Sequence, residues 1–151
     1  MRQLSTLQTY IFAFGAFMML VGSASFISPL MPYIAEHVVP ETMHRIGACL
    51  YAIGAVCFAT MQMSERYEGR DFIIRRLRRI QLMGDICFLV AAVLMIENAF
   101  MLAYPFFLGR GSQGLTFYFQ YIHNNWAVFL LIAAILEVYS THRIAYSIKK
   151  S

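Results

Sequence analysis

The sequence predicts an all-α integral membrane protein, a bundle of four transmembrane helices with both termini in the cytoplasm, and three observations lead there. First, 60% of the 151 residues are hydrophobic, only 13% are charged and the mean hydropathy is +0.60. Soluble chains average about 45–50% apolar and about 25% charged residues, so water is an unsuitable solvent for this one. Second, four apolar stretches, at about 7–30, 43–63, 81–103 and 126–146, are each long enough to cross hydrocarbon roughly 30 Å thick at about 1.5 Å per helical residue. Third, positive charge falls on alternate sides of those stretches. The remaining length is too short for a separate soluble core, so residues 1–151 read as a single transmembrane domain.

The first span carries no charge between 7 and 30. A cleaved signal peptide competes with this reading, because Arg2 precedes the apolar run and Gly22-Ser23-Ala24 resembles a cleavage site. The run continues past that site to Leu30, whereas signal cores usually end after about 7–15 residues, which favours a retained helix. The second span has Gly47, Ala48, Ala52, Gly54, Ala55 and Ala59 along one side. Small residues let helix backbones approach closely in lipid, where packing replaces the hydrophobic effect as the associating force. Gly84, Ala91 and Ala92 repeat the device in the third span. The fourth begins near Trp126, but its far limit is open, because Glu137 interrupts the apolar run of 127–136.

Ten of the twelve Lys and Arg residues lie on one side: Arg2, then Arg66, Arg70, Arg75, Arg76, Arg78 and Arg79, then Arg143, Lys149 and Lys150. Only Arg45 and Arg110 lie on the other. Short loops rich in Lys and Arg stay in the cytoplasm, so the bias predicts a multi-pass protein of a bacterial inner membrane. The net charge of +4 is then a topology signal, and nucleic acid is not an expected partner.

In the loop between the second and third spans, Asp71 can cap a helix, and Ile73, Leu77 and Ile80 are expected to share a face between the arginines. Arg75, Arg76, Arg78 and Arg79 form a cytoplasmic anchor attracting anionic lipid headgroups, at about 1 kcal/mol per basic side chain. A docking surface for a protein partner is the other use of such a turn. On the outer side, the stretch between Tyr104 and Trp126 is dense in aromatics, as expected of an interfacial belt or a loop folded over the bundle.

Candidate functional residues are the ionisable groups inside the spans. A carboxylate at the bilayer centre costs about 2.5–3.5 kcal/mol on insertion scales, so Glu137 needs a partner or a proton. Ala133, Ala134, Ser140 and Thr141 share its face, which points it toward the bundle interior; a fourth helix shifted outward would instead leave it at the headgroups. Asp85 enters the third span about one turn from its start, at a depth matching Arg143 on the antiparallel fourth span, so the two are expected to pair. Glu97 lies near the outer surface, with Arg45 and His44 as its nearest expected partners.

Glu41 and His44 are spaced as Glu-x-x-His, beside Glu36 and His37, but a di-metal bundle site needs a second such pair and further carboxylates. His44 and His123 could in principle hold a haem, with nothing else in the chain to support one. Cys49, Cys57 and Cys87 are scattered through apolar segments and form no redox or zinc pair. No metal, cofactor or catalytic residue set is therefore expected.

Residues 66–72 (Arg-Tyr-Glu-Gly-Arg-Asp-Phe), the following Arg-Arg-Leu-Arg-Arg of 75–79 and the stretch 124–134 resemble segments of a small uncharacterised four-span inner-membrane family of Gram-negative anaerobic bacteria. That resemblance implies location and span count, and no activity. The expectation for function is a non-enzymatic structural or accessory subunit, packed against itself or a larger membrane partner. The alternative is a small transporter or channel in which Glu137 is the proton or cation site, with Asp85 and Arg143 as an inner gate.

Overall fold

The computed structural model describes residues 5–27, 40–65 and 70–150, and these are helical almost throughout. Six α-helices follow in order: α1 Thr6–Ala24, α2 Pro40–Ser64, α3 Phe72–Phe100, α4 Tyr104–Leu108, α5 Gly111–Phe117 and α6 Trp126–Lys150. A π-helical turn at Tyr118–Ile122 separates α5 from α6. Four helical segments are long and apolar enough to cross a membrane: α1, α2, α3 and the run Gly111–Lys149 that contains most of α6. That makes the chain consistent with a multi-pass membrane protein.

Local sequence explains where these helices start. Ser5 and Gln8 form a reciprocal capping box on α1: the Gln8 N–H donates to Ser5 Oγ at 3.3 Å and the Ser5 N–H to Gln8 Oε1 at 2.9 Å. Asp71 caps α3 as expected, its Oδ1 accepting from the Ile73 N–H at 2.9 Å. Because no breaker lies between that cap and Phe100, the arginine-bearing turn and the third span are one helix of 29 residues, about 43 Å long. The helix thus begins at Phe72, ahead of the stretch from about 81 read as the third span. The inward face of this turn is also one residue out of the expected register: Ile74 and Leu77 are buried, whereas Ile73 is exposed.

The helices pack in chain order. α1 lies on α2, α2 on α3, and α3 on α6. Backbone contact governs the first pair, in which Gly15 and Gly22 of α1 face Gly54 and Gly47 of the antiparallel α2. A Cβ on Gly22 would fall 2.6 Å from the Gly47 carbonyl oxygen, and one on Gly54 would fall 2.7 Å from that of Gly15. Ser25 Oγ closes the end of this contact by donating to the Gly22 carbonyl at 2.6 Å. The core shared by α2, α3 and α6 contains Tyr51, Ala55, Phe88, Ala91, Met95 and Ala133. Phe12 stacks on Phe58 at 4.4 Å and Phe58 meets Phe88 edge-on at 5.7 Å, which ties α1 into it.

α1 and α6 do not pack closely on each other. Between them runs an apolar groove of about 550 Å³, floored by Tyr51, Phe58 and Phe88. It narrows at the aromatic end, where Phe26 meets Trp126 at 5.2 Å. The outward faces of the long helices are largely apolar: Phe17 is 64% exposed, Leu131 62% and Val138 72%. Faces of this extent are covered by lipid or protein rather than by water.

Candidate functional site: a polar cluster across three helices

The site is built near the arginine-rich end of α2, α3 and α6. On α3, Arg78, Gln81 and Asp85 are spaced three and four residues apart and share one face. On α2, Gln62 and Glu65 belong to the last turn and the residue after it. α6 contributes Glu137 and Thr141, one turn apart.

Glu137 points inward, toward α2 and α3. Its Oε1 accepts from Gln81 Nε2 at 3.0 Å and also from Gln62 Nε2, so one carboxylate oxygen joins all three helices. Gln81 Nε2 additionally reaches Thr141 Oγ1 at 3.4 Å. The expected support from Ser140 takes another form, since its hydroxyl donates to the Glu137 backbone carbonyl at 3.1 Å. Gly84 makes room for the carboxylate: a Cβ there would lie 3.3 Å from Glu137 Oε2.

Arg78 departs from its expected anchor role. Its side chain turns back into the protein and pairs with Glu65 Oε2 at 3.1 Å while donating to Gln81 Oε1 at 2.6 Å. It also donates to the Gln62 carbonyl at 3.1 Å and to the Glu65 carbonyl, so a cation on α3 caps the end of α2. Arg75, Arg76 and Arg79 are exposed, as an anchor requires.

Asp85 is 1% exposed and its Oδ1 has no hydrogen-bond donor. The expected pairing with Arg143 does not form: among the described residues the ion pairs are Arg78–Glu65 and Arg45–Glu41, and Arg143 is exposed on the surface of α6. The expected depth does not hold either: the turn of α3 that carries Gly84 and Asp85 is level with Ala133–Glu137, and Arg143 lies nearly two turns further along α6, on its outward side. Asp85 instead lies within electrostatic reach of Glu137 and Arg78. It lines a cavity of about 260 Å³ together with Gln62, Glu65, Arg78, Arg79 and Gln81.

At the aromatic end, Glu97 meets neither Arg45 nor His44, and the reason is local. The chain reverses at Met101 in a left-handed conformation (φ 50°), returning the Ala103 N–H to the Glu97 carboxylate, 3.0 Å from each oxygen. The buried Tyr118 adds a hydroxyl donor at 2.8 Å, fastening the aromatic segment to the end of α3. Arg45 pairs with Glu41 one turn away, at 2.6 Å, and lies over the Phe100 ring. His44 stacks on Phe26 at 4.8 Å and borders a pocket of about 500 Å³ that His123 also lines. Glu36 and His37 lie outside the described residues. Among those described, no three His, Cys, Asp or Glu side chains converge as metal ligands.

Gln62, Gln81 and Glu65 are the functional residues that sequence reasoning missed. A signal for Gln81 was present, four residues before Asp85 and three after Arg78 on one helical face. Gln62 had none, because its role depends on how α2 meets α6. Comparison with protein-family models, with curated proteins and with solved structures finds no match for this chain.

Proposed function

We propose that this chain is a non-enzymatic structural or accessory subunit of a bacterial inner membrane, crossing it four times with both termini and the arginine-rich end in the cytoplasm. The orientation rests on the positive-inside bias, and the four-span inner-membrane family that segments of the chain resemble accords with it. The role rests chiefly on the attachment of Glu137. Its Oε1 is bonded to amides from two other helices and its Oε2 is closed to water, the arrangement of a cross-helix lock. Hydrogen bonds of this kind between helices in lipid contribute about 1–2 kcal/mol in model peptides. The apolar outer faces leave ample surface for a second copy or a larger partner.

A second reading, a small transporter or channel, is favoured by the position of Glu137 at the edge of the groove between α1 and α6. Reconstitution into liposomes separates the two. The structural role predicts proton, sodium and potassium fluxes equal to those of empty vesicles, and lower thermal stability for Glu137→Ala. Ion flux in the native protein that vanishes in a normally folded Glu137→Gln variant would establish transport instead.

A further inference from the structure

Three acceptor oxygens in the polar cluster lack a donor among the described residues: Gln62 Oε1, Asp85 Oδ1 and Glu137 Oε2. They belong to one neighbourhood. Gln62 and Gln81 both bond to Glu137, and Asp85 follows Gly84, whose Cα hydrogens face Glu137 Oε2. Gln62 and Asp85 are 3% and 1% exposed, so bulk water does not satisfy them. A buried acceptor without a donor costs about 1–3 kcal/mol, so three together in one cluster call for a donor within it.

The local charge balance points the same way. The charged groups facing the cluster are Glu65 from α2, Arg75, Arg78 and Arg79 from α3 beside Asp85 itself, and Glu137 from α6. Arg78 is committed to Glu65, to Gln81 and to the carbonyls at the end of α2, while Arg75 and Arg79 are exposed at the cavity rim. No ion pair among the described residues reaches Asp85 or Glu137. A buried carboxylate beside a second, half-buried one, with no ion pair to either, is costly as a doubly ionised pair.

We propose that Asp85 and Glu137 together hold one proton, forming a buried protonation site entered from the cavity at the arginine-rich end. A proton fits where other occupants do not. The three orphan oxygens are closed even to a water molecule, so a hydrated cation cannot reach them in this conformation. Protonating either carboxyl converts an acceptor into an O–H donor, and Gln62 Oε1 or the opposing carboxylate is the acceptor waiting for it. The exchange uses the other Asp85 oxygen, Oδ2, which is not among the closed atoms: it takes a proton from water in the cavity that Asp85 lines, and returns it by the same route. Glu137 borders the groove between α1 and α6, so the pair lies between that groove and the cavity. The site does not depend on whether the protein transports anything, since a locked subunit holds such a proton equally well.

Infrared spectroscopy of the full-length protein in lipid, compared in light and heavy water at neutral pH, tests this directly. The expected result is a protonated-carboxyl C=O band amounting to one group per chain. Asp85→Asn and Glu137→Gln should each remove or displace it, and Glu65→Gln should leave it in place. Absence of the band from the native protein at neutral pH would overturn the proposal, and that measurement needs no variant to fold. Two other outcomes would also overturn it: a band indifferent to both substitutions, or one that follows sodium concentration at constant pH, which would assign the site to a metal cation.

Discussion

Glu137 shows what a single ionisable residue does when its solvent is apolar. In water a surface glutamate is worth little, but inside a bundle it must collect donors, and it takes them from Gln62 and Gln81. Sequence reasoning found the carboxylate because an ionisable group interrupting an apolar run is conspicuous. It could not find the amides, because glutamine in a span is costly only in proportion to what it fails to bond, and that depends on neighbouring helices. The same limit explains Arg143, which lies on the outward side of α6 and nearly two turns beyond the level of Asp85. The expected consequence of the lock is graded: Glu137→Leu removes both amide bonds, leaving Gln81 only its long contact to Thr141, and should cost about 2–4 kcal/mol at about 1–2 kcal/mol per bond, whereas Glu137→Gln retains an acceptor and should cost less than half as much. Thermal unfolding of the two purified variants in one detergent, side by side, measures the difference.

Among the elements, the long helices were the most legible part of the molecule, since uninterrupted apolar length is a property of the sequence itself. Their limits were less so. α3 begins at Phe72 because the amphipathic turn continues into the span, and the segment after Tyr104 is folded into short helices fastened through Tyr118 to Glu97. The pairing of α1 with α2 is set by glycines, and only those of the second span stood out beforehand. Gly15 and Gly22 act because the antiparallel partner brings Gly54 and Gly47 opposite them. Gly22→Val should therefore push α1 away from α2, with its new side chain meeting backbone at Gly47 and Tyr51 rather than a flexible neighbour. Disulfide cross-linking between cysteines placed at Ala16 and Ala55 should fall several-fold in that variant while the α3–α6 contact is unchanged. Undiminished cross-linking would show that the close approach is dispensable.

For the molecule as a whole, the four helices form a chain-ordered row whose first and last members enclose a groove, and whose two ends differ sharply in chemistry. One end carries the arginines and the carboxylate cluster; the other carries aromatics knitted around Glu97 and Tyr118. That asymmetry is what the proposed orientation uses, for arginines retained in the cytoplasm and aromatic rings at the opposite interface satisfy both membrane surfaces at once. The most direct measurement is thiol labelling in intact cells with a membrane-impermeant reagent, in a chain whose three native cysteines are replaced by alanine. A cysteine at Arg70 should react only after the inner membrane is permeabilised, and one at Ser112 should react without permeabilisation. Labelling of the Arg70 position from the periplasm in intact cells, with Ser112 shielded, would contradict the account.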